Sequence, residues 1–141
     1  METTEKTAIT IEAVVKAPVE KVWAYWSAPE HITRWAFASD DWHAPYADND
    51  LRKEGKFKTT MAAKDGSFSF DFEGVYTDVQ LHKVIEYVMS DGRKVKTLFT
   101  ANGNETKIME TFDPENTHPL EVQRSGWQAI LDNFKKYTEA N

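Results

Sequence analysis

Cysteine is absent from the 141 residues. A disulfide scaffold, a zinc ribbon and thiol catalysis are excluded together. Positive charge is not in excess either: 17 Lys and Arg against 23 Asp and Glu leave −6, whereas a general nucleic-acid binder needs a basic stripe to displace counterions. The lysines of "FKKYTEAN" and "GRKVK" are dispersed and read as a solvated face. No hydrophobic run approaches a membrane span. The opening "METTEKTAITIE" lacks the apolar core of a signal peptide, so the expected location is the cytoplasm. Repeats, low-complexity tracts and linkers are missing too, which points to one domain over 1–141 with its core at about 7–137. Four scattered histidines (His31, His43, His82 and His118) match no metal spacing such as H-E-x-x-H. No G-x-S-x-G, phosphate loop or dinucleotide fingerprint occurs, and surface serines without a base are not nucleophiles. Neither metal nor cofactor is expected.

What the chain does have is a globular composition, 40% hydrophobic, with a generous 13% of aromatic rings. "TAITIEAVVKA" alternates, with Ile9, Ile11, Ala13 and Val15 on one side, and predicts a half-buried strand. Pro18 suits the first position of a helix, and Glu20 meets the positive end of its dipole. Val19, Val22, Trp23 and Trp26 follow at helical spacing as an inward stripe. Ser27 and Pro29 punctuate, and Ile32 and Trp35 mark a second, short helix. From Trp42 to Phe112 short alternating runs are separated by "KEG", "KDG", "SDG" and "ANGN", which predicts consecutive hairpins in one antiparallel sheet. In "SFSFDFEGVYTD", Phe68, Phe70, Phe72 and Tyr76 share the inward face, and Gly74 falls in the same register, where a missing side chain permits a bend or a close approach. A long helix, Leu120 to about Tyr137, carries Trp127, Ile130, Leu131 and Phe134 as its apolar stripe, with Gln123 and Tyr137 at its edges. It is the one element large enough to cover such a sheet, so the predicted class is α+β.

The strand followed by "APVEKVWAYWSAPEHITRW", then "LRKEGKF", "DGSFSFDFEGVYTDV", "ETFDPE" and "GWQAILDNFKKY", resembles the START-like superfamily. Within it the sequence is most similar to the bacterial Hsp90-ATPase-activator-homologue-like proteins. Many of these carry Gly-Gly where this chain has Glu54 and Gly55. The eukaryotic co-chaperone also has a separate amino-terminal Hsp90-binding domain, for which 141 residues leave no room, so chaperone activation is not carried over. The resemblance implies a helix-grip fold: a curved antiparallel sheet around a long C-terminal helix, two short helices after the first strand, and a cavity between helix and sheet.

The strand registers then select what lines that cavity: Phe57, Met61, Phe70, Phe72, Tyr76, Tyr87, Met89 and Phe99 from the sheet, with Trp127 and Phe134 from the long helix. Such rings also serve as plain core filling. Trp35 and Trp42 are expected to rim the entrance, and Val22, Trp23 and Trp26 to anchor the first helix against the end of the sheet. Glu110 shares a strand face with Ile108 and Phe112, which puts a carboxyl on the cavity side. There it is a polar anchor or general base, or else is bonded to Tyr76, Tyr87 or Gln123. A register with Met109 inward turns it to solvent instead. Three functions follow. The first is a carrier or sensor of a small hydrophobic molecule, aromatic or lipid-like. The second is an enzyme resembling the polyketide cyclases, with Glu110 as the candidate catalytic group. The third is a stress-related chaperone accessory or interaction domain, with a homodimer as one form.

Overall fold

The computed structural model describes residues 8–141, so Thr7, the expected start of the core, and the rest of "METTEKT" lie outside the described residues. Strand β1 (Ile9–Val15) is followed by helices α1 (Val19–Ser27) and α2 (Pro29–Trp35). A meander of six strands comes next: β2 (Trp42–Asn49), β3 (Lys56–Ala63), β4 (Ser69–Gln80), β5 (Val84–Met89), β6 (Lys94–Asn102) and β7 (Glu105–Phe112). The long helix α3 (Leu120–Ala140) closes the chain. All seven strands join one antiparallel sheet in the order β1-β7-β6-β5-β4-β3-β2. This is the helix-grip arrangement: a curved sheet with α3 across its concave face, and α1 and α2 in the connection between its two edge strands.

Alternation decides the two faces. Ile9, Ile11 and Val15 on β1, Ile108 and Phe112 on β7, and Val95 and Phe99 on β6 are buried. They meet Leu131 and Phe134 of α3 in one apolar core. Burying such side chains contributes about 1.5–3 kcal/mol each. The outer face is charged, with cross-strand pairs Lys107–Glu12, Lys96–Glu86 and Lys58–Asp71. Exposed pairs of this kind add little stability and mainly keep that face wet.

Local chemistry sets the boundaries. Pro18 lies one residue outside α1 rather than at its first helical position; its carbonyl accepts the N–H groups of Lys21 and Val22. Pro29 opens α2, where its missing N–H costs nothing. β2 carries Pro45 and a bulge between His43 and Tyr46, both tolerated because it is an edge strand. Gly74 is required by a close approach: a Cβ there would lie 2.6 Å from the Val88 carbonyl oxygen and 3.0 Å from the Phe57 ring.

The β2–β3 loop docks on β4, with the Glu54 N–H donating to the Tyr76 carbonyl and the Tyr76 N–H to the Gly55 carbonyl. Glu54 pays for that position with a left-handed φ of 71°. A side-chain residue there is strained by roughly 1–2 kcal/mol, which glycine avoids at some cost in chain entropy. Glu54→Gly is therefore expected to stabilise the fold by about 1 kcal/mol, read as a higher urea midpoint at unchanged slope. An unchanged or lower midpoint would contradict the strain argument.

Candidate functional site

Between α3, α2 and the concave face of the sheet lies a cavity of about 300 Å³. Its apolar wall is built from β3, β4 and β5, where Phe57, Met61, Phe72, Tyr76, Tyr87 and Met89 line it. α3 contributes Trp127, Ile130 and Leu131, and the helical corner contributes Trp26, Ile32 and Trp35. The rings fix one another edge to face: Phe57 on Tyr87 at 4.7 Å, and Phe72 on Trp127 at 5.8 Å. Trp127 is held from behind by a parallel stack on Phe112, with centroids 3.9 Å apart.

Four sequence expectations need correcting. Phe99 and Phe134 do not line the cavity. Phe99 packs against Trp23 and Trp26, while Phe134 is wedged between Trp26 and Trp35 at 4.9 Å from each. They form a solid core beneath α1 and α2. Trp35 is not a half-wet rim residue: it is 6% exposed, lines the cavity, and its indole N–H donates to the Tyr25 carbonyl. Trp42 is half-buried but lies off the cavity wall, against Phe68 and Phe70. Phe68 and Phe70 themselves are 59% and 43% exposed. Their inward register alone therefore does not bury them. Phe70 still reaches the lining and marks the outer end of the wall.

Glu110 faces inward. It pairs in register with Ile11 on one side and Thr97 on the other, and its residue is 6% exposed. The expected partners Tyr76, Tyr87 and Gln123 do not bond it. Its Oε2 accepts from the Thr97 hydroxyl at 3.2 Å. Burial pushes its carboxyl up to about 7, and the Thr97 hydrogen bond opposes that only in part. Tyr87 is raised well above the usual phenol range by burial, and then by the charge of Glu110. Among the described residues its hydroxyl has no hydrogen-bond partner. Tyr76 differs: its hydroxyl donates to Asn49 Oδ1, and Asn49 Nδ2 donates to the Ser27 carbonyl at 2.7 Å, which ties β4 through β2 to α1.

Gln123 is a structural latch. Its Oε1 accepts the Glu115 N–H, and its Nε2 donates to the carbonyls of Glu115 and His118. Glu115 in turn accepts from the His118 and Thr117 N–H groups and the His118 ring, and these hold its carboxyl down at about 2. Asn49, Thr97 and Arg93 also line or support the site and were not anticipated. For Thr97 a signal existed, since "KVKTLF" alternates Val95, Thr97 and Phe99 on one face.

His31 stacks on Tyr25 and bonds the Tyr137 hydroxyl at 2.6 Å, away from the cavity lining. His82 occupies a turn with φ 66° and sets its ring against Trp23. Among the described residues no group of three or more His, Asp or Glu side chains could hold a metal ion, and no helix is long and apolar enough to cross a membrane.

A curved sheet gripping a long helix over an aromatic-walled interior places the molecule among the START-like helix-grip proteins. Residues 16–139 match the family described as Activator of Hsp90 ATPase homolog 1-like protein, and the chain belongs to that family. An AHSA1-like protein of Aeromonas hydrophila, solved by NMR, is 46% identical over 95% of this chain and 93% of its own, with a TM-score of 0.89. A protein of Cytophaga hutchinsonii is 59% identical over 94% and 92%, with a TM-score of 0.81. A Chromobacterium violaceum protein at 18% identity shares the fold, with a TM-score of 0.85 over 96% and 99%. No curated protein matches.

Proposed function

We propose that the protein is a carrier or sensor that binds a small apolar molecule, aromatic or lipid-like, in the cavity beneath α3. The observation that carries this reading is the 300 Å³ space itself. Protein interiors ordinarily close up to voids near the size of a water molecule. Here aromatic side chains stand around open volume, with few polar groups on the wall, which is the composition of small-molecule sites. Met61 and Met89 add wall that adapts to shape.

Native mass spectrometry of freshly purified protein, followed by thermal-shift screening of aromatic and lipid-like compounds, tests it. A ligand present at 100 times its Kd adds about 2.7 kcal/mol, which raises the Tm by roughly 8 °C in a domain of this size. The shift is expected in wild type and in the outer-face control Lys58→Gln, and is expected to vanish in Phe72→Asp. No adduct and no shift across a chemically broad panel would sink the reading.

A second reading, a cyclase-like enzyme, is favoured by one arrangement. The Glu110 carboxyl, at about 7, and the Tyr87 phenol share the cavity wall. A carboxyl poised near neutrality beside a phenol suits proton transfer on a bound substrate. Turnover of a bound compound that is lost in Glu110→Gln would select this reading over the carrier.

A further inference from the structure

We infer that the molecule this cavity takes is a compact carboxylate, an apolar body with one anionic head, and that Arg93 receives the head. The inference deepens the binding reading and rests on it.

Arg93 follows the tight β5–β6 turn. The Met89 N–H donates to the Arg93 carbonyl at 2.7 Å, and the Gly92 N–H to the Met89 carbonyl at 2.9 Å, with Gly92 at φ 93°. The turn therefore sets Arg93 directly beside Met89, a wall residue. Asp91 clamps it twice: Oδ1 accepts the Arg93 N–H at 3.1 Å, and Oδ2 accepts Nε–H at 2.8 Å. That clamp uses one of the three guanidinium nitrogens. Among the described residues the two terminal nitrogens have no hydrogen-bond partner.

An arginine in a surface turn ordinarily extends into water. This one is only 19% exposed and lines the cavity. Its terminal nitrogens are not fully buried, so their spare N–H donors can exchange water for a ligand that enters the cavity. A fork of parallel N–H donors matches the paired oxygens of a carboxylate, as it does those of a phosphate, and the smaller, planar carboxylate is the one that suits a compact apolar-walled space.

Asp91 pairs with Arg93 at Nε, and among the described residues no other charged group around the cavity bonds its terminal nitrogens. Glu115 is occupied by His118 and two backbone N–H groups. Asp48 is exposed to solvent and screened by it. Glu110 is buried and keeps its proton below about pH 7, and the phenols of Tyr76 and Tyr87 stay neutral. Among the described residues Arg93 is the one cation in the lining. The volume sets the size of the body. A dry cavity of about 150 Å³ takes benzene, and twice that volume suits two fused rings or a short branched chain.

The test compares 2-naphthoate with the neutral 2-naphthamide at pH 6, by tryptophan fluorescence and calorimetric titration. Wild type is expected to bind the acid about tenfold more tightly than the amide. Arg93→Gln is expected to bring that ratio close to one and Arg93→Lys to retain part of it, while the outward Lys94→Gln keeps it whole. Thermal unfolding of each variant checks that the hairpin is intact. Equal affinity for acid and amide in wild type, or a preference that survives Arg93→Gln, overturns the inference and leaves the cavity reading standing. Failure of both probes and of the broader panel overturns both.

Discussion

Glu110→Gln is expected to make the protein about 3 kcal/mol more stable than wild type at pH 8 and to leave the two nearly equal at pH 4. The sign follows from burial. Below about pH 4.5 the Glu110 carboxyl is protonated in the unfolded chain as well as in the folded one, and no charge is buried. Between about 4.5 and 7 the unfolded chain gives up its proton while the folded chain keeps it, so stability falls as pH rises. Above about 7 both are ionised and the loss is complete, at about 1.4 kcal/mol per pH unit between the two values. Glutamine carries no charge at any of these pH values, and its amide oxygen still accepts the Thr97 hydroxyl. Urea unfolding of both proteins from pH 4 to 8 reads the effect directly. Parallel curves would mean that the carboxyl is solvated in the folded state. The same burial that weakens the fold at high pH keeps a neutral carboxyl in the cavity at lower pH, so the measurement bears on the site as well as on stability.

Phe134→Ala is expected to cost about 3–5 kcal/mol, whereas Phe70→Ala is expected to cost less than about 1. Sequence periodicity treats the two phenylalanines alike, as inward rings of the same cavity. In the structure Phe134 has no exposed surface and is enclosed by Trp26 and Trp35. Its removal leaves a hole that two indoles cannot fill without moving. Phe70 is 43% exposed and gives up mostly solvent-facing surface. Its loss is expected to show in ligand affinity rather than in the unfolding midpoint. Equal losses of stability would mean that the start of β4 is better packed than its exposure indicates. Measured together, the pair separates residues that hold the fold from residues that border the open space.

That contrast shows where the sequence was readable. Strand alternation is a local signal, and it puts Ile9, Ile11, Tyr87 and Ile108 on the inner face, where they are; for Glu110 it leaves two registers open, of which the structure has the inward one. Helical spacing likewise identified α1, α2 and α3, although α3 runs to Ala140, three residues further than expected. Facing inward, however, is different from being covered. Whether an inward ring meets a helix, a cavity or water depends on where α3 crosses the sheet, and no window of sequence records that. Trp35 and Phe99 depart from the sequence expectation for this reason. Arg93 is harder to read, since "SDGRK" is a good turn sequence and strand alternation does not say which way the side chain of a residue closing a turn lies. Asn49 depends on Tyr76 and Ser27, 27 and 22 positions away.

The sheet order has a consequence for how the chain comes into being. β2 through β7 are joined by successive hairpins, so each strand finds its partner within a short stretch of newly made chain. β1 does not. It is synthesised first, yet it pairs with the last strand, and Thr10 meets Thr111 across 101 positions. Closing so long a loop is slow relative to hairpin formation. Until β7 leaves the ribosome, the apolar side of β1, with Ile9, Ile11 and Val15, has no strand to pair with. The interval between the first and last strands is therefore the period in which the nascent protein is most exposed to misassociation, and the arrival of β7 and α3 ends it.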